Sequence, residues 1–323
     1  MATFAEVISQ QRRIGEKITW PEGKRFAFTV VDDTDYATVR NTRPIYDLLL
    51  ANGIRTTKTV WPLAADAGSI TKGDSLECVE YRDWILELKR AGVEIAYHGA
   101  ADGSSTRPRI EKALKFIQQV TGEPPSLYTN HLGQKEALYW GSARFDPPVR
   151  WLYRFMRQQH GSGAYSGADE TSSYFWGDLL QAGPKYVRNL VFNDINTLKM
   201  DPLMPYHDVR RPFVQSWFSS SYGSGADDFC RLLSEENQDR LLREGGACIV
   251  YTHFGSNFYP IREDFKRLME RLSTLPGWFV PATTLLDHIA AQRGAVACVQ
   301  DHTLRFQWMQ WNWLLGQAVR RFR

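Results

Sequence analysis

Three carboxylates crowd into Val31-Asp32-Asp33-Thr34-Asp35, directly after an apolar run. Such a group repels itself unless a proton or a cation intervenes. The plainer use of these residues is a solvated acidic turn or a helix N-cap. A second cluster, Tyr97-His98-Gly99-Ala100-Ala101-Asp102, also follows an apolar run. One imidazole with two carboxylates makes a mixed nitrogen and oxygen set suited to zinc or a related divalent ion. A lone His in that place otherwise serves as a hydrogen-bonded structural group. The third is His253, in Ile249-Val250-Tyr251-Thr252-His253-Phe254-Gly255. Its proton affinity near neutral pH suits a general acid, and a packed histidine is the alternative.

The elements that must position these residues are short strands alternating with helices. Apolar, β-branched and aromatic runs predict strands at 26–31, 54–61, 93–97, 126–129, 186–192, 247–252 and 278–280. Helical periodicity predicts helices from about 42, at 83–91, 109–121, 238–243 and 262–273, with Gly53 and Gly92 as stops. Repeated strand-helix order means a parallel sheet, and about seven units favour a closed α/β barrel. The open dinucleotide-binding alternative lacks a G-x-G-x-x-G after its first strand. Carboxylates at the C-terminal end of the first barrel strand stand where catalytic groups sit. Segments 145–167 and 196–224 read as long irregular loops near that face. The barrel is assigned to residues 1–300 and a terminal amphipathic helix to 301–323.

Composition narrows the function. The 323 residues carry 39 basic and 36 acidic side chains, a formal net charge of +3, which gives no argument for a nucleic-acid partner. Four scattered cysteines form no C-x-x-C pair, so nothing points to a thiolate zinc site or a redox motif. There is no apolar leader and no run of eighteen apolar residues, and a cytoplasmic location is the expectation.

With these residues in place the chain resembles the polysaccharide-deacetylase family, the NodB-homology or carbohydrate-esterase 4 group, over roughly residues 20 to 290. The family's T-F-D-D-G is matched by Val30-Val31-Asp32-Asp33-Thr34, its H-[ST]-x-x-H by His98 to Asp102, and its L-x-H by Tyr251-Thr252-His253. Its R-x-P-Y is matched poorly by Pro125-Ser126-Leu127-Tyr128. The resemblance implies a distorted seven-stranded NodB-like barrel, with Asp32 as base, Asp33 and His98 as metal ligands and His253 as acid. The family's second metal histidine is Asp102 here, which keeps an oxygen ligand; Asp102 or His131 would complete the metal site, His131 otherwise lining the cleft. Asp194 would orient a catalytic neighbour. Tyr128, Asn130, His207 and Trp217 would contact substrate.

The implied activity is metal-assisted removal of an N- or O-acyl group, such as acetyl, from a sugar or sugar conjugate. Zinc is the first choice of metal, with cobalt or nickel as alternatives. A barrel that binds carbohydrate without catalysis, and an amidase for a non-sugar amide, are the rival functions. At the C-terminus, Leu304, Trp308, Trp311, Leu315, Val319 and Phe322 share one helical face. That stripe either closes the barrel, packs on a second copy in a homo-oligomer, or lies on a membrane surface.

Overall fold

In the computed structural model, residues 14, 16–66, 71–157 and 165–321 are described. The strands are β1 (Phe26–Asp32), β2 (Thr57–Val60), β3 (Glu94–Tyr97), β4 (Leu127–Tyr128), β5 (Tyr186–Phe192), β6 (Tyr206–His207), β7 (Ser216–Tyr222), β8 (Ala247–Thr252), β9 (Gly277–Phe279) and β10 (Ala297–Cys298). Seven of them close a parallel ring in the order β1-β2-β3-β4-β5-β7-β8, with β8 returning to β1. β9 joins the lower half of β1, pairing Phe26 with Gly277, while β2 takes the upper half at Val31 and Asp32. β6 lies antiparallel to the start of β7, and β10 extends it.

Period-two alternation divides the apolar residues. From β1 and β8, Ala27, Val31, Ala247 and Ile249 join one core cluster, whereas Phe26, Phe28, Val30, Cys248 and Val250 join another. Every residue of β1 is buried. Covered on both faces, a parallel strand must read as a nearly continuous apolar run, as FAFTVV does.

The predicted strands at 186–192 and 247–252 form at those residues, and the other five form with shorter or shifted ends. β7 is a wall strand inside the segment expected to be a loop. Its Ser219-Ser220-Ser221 hides it from a hydrophobicity reading, yet all three serines are fully buried. The Ser219 hydroxyl donates to Asp201 at 2.6 Å and Ser221 meets Thr197 Oγ1 at 2.7 Å, so internal partners replace water.

The C-terminal helix spans Thr303–Arg321. It docks through Phe306, Met309, Trp313 and Leu314. The stripe read from the sequence faces outward instead: Leu304, Trp308, Trp311 and Leu315 are exposed. The Val319 side chain and Phe322 lie outside the described residues. No helix among the described residues is long and apolar enough to cross a membrane.

Candidate active site

The acidic loop leaves β1 and turns into the helix Val39–Ala51, whose start is fixed by a capping box between Thr38 and Asn41. The Asn41 side-chain amide also donates to the carbonyls of Tyr36 (2.9 Å) and Gly255 (3.1 Å), tying the β1 loop to the β8 loop. A Cβ on Gly255 would lie 2.5 Å from the backbone at Asp35, Tyr36 and Ala37. Only glycine permits that approach.

Asp35 is the centre of the arrangement. His131 Nε2 lies 2.8 Å from its Oδ1, and His253 Nε2 2.9 Å and His98 Nε2 3.7 Å from its Oδ2. Three imidazoles from the loops after β3, β4 and β8 therefore converge on one carboxylate from the loop after β1. Burial would raise the Asp35 carboxyl, but the three histidines outweigh it and hold the group far below the usual range. Burial would lower His131 and His253, and the charge of Asp35 and its hydrogen bonds raise both instead.

Asp33 sits behind this cluster. Arg188 donates to it with both terminal nitrogens, Nη1 to Oδ1 at 3.0 Å and Nη2 to Oδ2 at 2.5 Å. Against burial, Arg188 and the nearby His98 keep Asp33 below its ordinary value. Arg188 stands where the β5–β7 register slips between Arg188 and Val191, an irregularity of the kind that re-aims a side chain.

Thr129 links Asp33 to His98 and fixes a tautomer. Its hydroxyl donates to Asp33 Oδ1 at 3.2 Å, so its oxygen must accept from His98 Nδ1, 2.5 Å away. His98 thus carries a proton on Nδ1 and turns Nε2 toward Asp35. That Nε2 is buried and has no hydrogen-bond partner, as has His131 Nδ1. His253 Nδ1 faces the Ser224 carbonyl at 3.0 Å, which likewise turns Nε2 inward.

These donors suit a divalent cation. Asp35, His98 and His131 offer atoms within 4.8 Å of one another, and so do Asp33, Asp35 and His253. A carboxylate with inward imidazole nitrogens is how proteins build such sites, and two of the three rings, His98 and His253, are held from behind by a second hydrogen bond.

No protein-family profile and no curated protein sequence matches this chain. Solved structures do. Puue allantoinase aligns at TM-score 0.51 and 15% identity, covering 85% of this chain and 94% of its own. A Mycobacterium smegmatis protein assigned as a polysaccharide deacetylase aligns at 0.50 and 16%, covering 86% and 94%. Another so assigned, from Pseudomonas aeruginosa PAO1, aligns at 0.51 and 12%, covering 84% and 93%. The fold is the NodB-like barrel of polysaccharide deacetylases.

Within this NodB-like barrel the residues singled out from sequence separate into two groups. Asp33, His98, His131 and His253 come together. Asp32 does not face them: it is fully buried, with Lys58 Nζ at 3.0 Å, the Tyr46 hydroxyl at 3.0 Å and the Phe254 N–H at 2.7 Å. Burial pushes its carboxyl up in spite of these partners. Asp102 accepts from the Thr71 N–H and hydroxyl and belongs to neither ligand group. Asp194 accepts from the Asn196 N–H and pairs with Arg240 at 3.0 Å. Tyr128 is buried and donates to Asn130, which itself braces Leu138 through its N–H and carbonyl. His207 bonds the Gln215 carbonyl, and Trp217 is buried on β7 rather than in a loop.

Two residues of the cluster had no role in the sequence reading. Asp35 was visible as the third carboxylate of its motif. Arg188 was visible as a guanidinium inside the apolar strand YVRNLVF, a place where a charge needs a buried partner.

Proposed function

We propose that the chain is a metal-dependent hydrolase that removes an acyl group from an amine or hydroxyl, with an acetylated sugar as its substrate class. The convergence of three Nε2 atoms on Asp35 carries this reading. Three protonated imidazoles around one carboxylate would leave a buried excess of positive charge, whereas a divalent cation taken by Asp35 with neutral His98 and His131 leaves His253 as the one imidazole that carries a proton on its inward nitrogen. Asp35, His98 and His131 would hold the cation, which when bound supplies a Lewis acid for the acyl carbonyl.

The remaining groups divide the proton work. Asp33, kept ionised by Arg188, takes the proton of the attacking water. His253 delivers a proton to the departing nitrogen or oxygen and regains it afterwards. Its side chain and that of His131 are each 15% exposed, so the cluster reaches solvent on their side. Tyr36 and Leu132, next to Asp35 and His131 in the chain, are exposed and suited to touch the acyl donor.

The solved neighbours include an allantoinase, so an amide outside a sugar is the second reading. Acetate release from chitin oligomers and acetylated xylan, beside ring opening of allantoin, separates the two. Protein loaded with zinc or cobalt should release acetate. Turnover of allantoin alone would favour the second reading, and no turnover of any of the three by loaded protein would overturn the proposed sugar deacylase.

A further inference from the structure

The helices Val149–Arg157 and Thr303–Arg321 pack side by side, with the Tyr153 and Trp313 rings 6.0 Å apart. Each is apolar on two opposite faces. The first helix turns Val149, Tyr153 and Met156 to the core cluster and leaves Trp151, Leu152 and Phe155 exposed. The second buries Phe306, Met309, Trp313 and Leu314 and exposes Leu304, Trp308, Trp311 and Leu315 at three- and four-residue spacing. Among the described residues, seven of the twelve exposed large apolar side chains lie on these two helices. Single exposed apolar residues need no explanation, but this concentration marks an interaction surface.

Charge selects the partner. The two helices contain Arg150, Arg154, Arg157, Arg305, Arg320 and Arg321 and no Asp or Glu. The whole chain carries only +3, so the remainder is net negative. Asp146, just before the first helix, is already engaged by Arg210 and Arg211. A second copy docked through the same two helices would bring two segments of like charge together, a repulsive pairing. An anionic lipid surface reverses that sign, and exposed Trp and Leu beside Arg is the composition that settles at a headgroup boundary.

We infer that the outer faces of these two helices form an interfacial docking surface for anionic lipid. The experiment is sedimentation of the full chain with vesicles of phosphatidylcholine, alone or containing about one-third phosphatidylglycerol. Binding to the anionic vesicles should be roughly tenfold or more tighter than to the neutral ones, and should weaken as salt is raised. Trp308→Ser with Trp311→Ser should abolish it while leaving the far-UV spectrum and the cooperativity of unfolding in place, since both side chains are on the exposed face and neither belongs to the core. Equal binding to both vesicle types, or none to either, would overturn the inference. So would a lipid-free dimer that the double substitution dissolves, which would assign the face to self-association.

Discussion

The guanidinium of Arg188 grips the carboxylate of Asp33 with two parallel hydrogen bonds, both side chains being almost wholly buried. Such a fork fixes a carboxylate in one orientation as well as keeping it charged. Asp33→Asn keeps the shape and discards the proton acceptor, so kcat for acyl release should fall about 100-fold or more with folding intact. Stopped assays with loaded protein measure this. Near-normal turnover would remove Asp33 from the mechanism.

Asp32→Asn should behave differently. It leaves Lys58 charged in the interior without its partner, a loss of roughly 3–5 kcal/mol. Chemical denaturation should show that loss, and Lys58→Met added to Asp32→Asn should recover much of it. A stable Asp32→Asn protein without turnover would instead make Asp32 the base.

Asp35→Asn should abolish cation binding. Elemental analysis of protein loaded with zinc or cobalt should find metal in the parent chain and none in the variant. Saturating metal should also raise the parent's thermal midpoint, with about 2.7 kcal/mol gained at one hundred times Kd, and a chelator should reverse the shift. Metal retained by Asp35→Asn would overturn the assignment.

Glu136 supplies a pH dependence. Burial pushes its carboxyl from 4.5 up to about 7, against the hydrogen bond it accepts from the Ser105 N–H. Between those values the folded chain keeps a proton that the unfolded chain has lost. Its contribution is therefore fully present below 4.5 and is lost as pH rises toward 7. Glu136→Gln retains the acceptor and removes the charge, so it should stabilise the protein above pH 7 by on the order of 3 kcal/mol. Denaturation midpoints across that window should be flatter in the variant.

Much of this was legible in the residues, and the exceptions have physical causes. Strands buried on both faces announce themselves as apolar runs, so β1, β5 and β8 could be read directly. β7 could not, because two of its three serines, Ser219 and Ser221, find buried partners that only the folded neighbours supply. Asp33, His98, His131 and His253 were marked by position at strand ends. Adjacent carboxylates, however, point in opposite directions from an extended chain. Asp32 turns to Lys58 and Asp33 to Arg188, and sequence alone does not say which side holds the site. The terminal helix was legible as amphipathic, yet it has two apolar faces, and the weaker-looking one docks.

The ring closes where the chain's first barrel strand meets its last, and the Phe254 N–H that holds Asp32 comes from 222 residues away. During synthesis the three aspartates emerge long before Arg188 and His253. Five more walls are made before β8 can slot in beside β1. Placing His253 and the Phe254 N–H is thus the same event as completion of the ring, and contacts so distant in sequence form slowly. A chain halted before β8 carries every carboxylate of the centre and two of its histidines, and lacks His253.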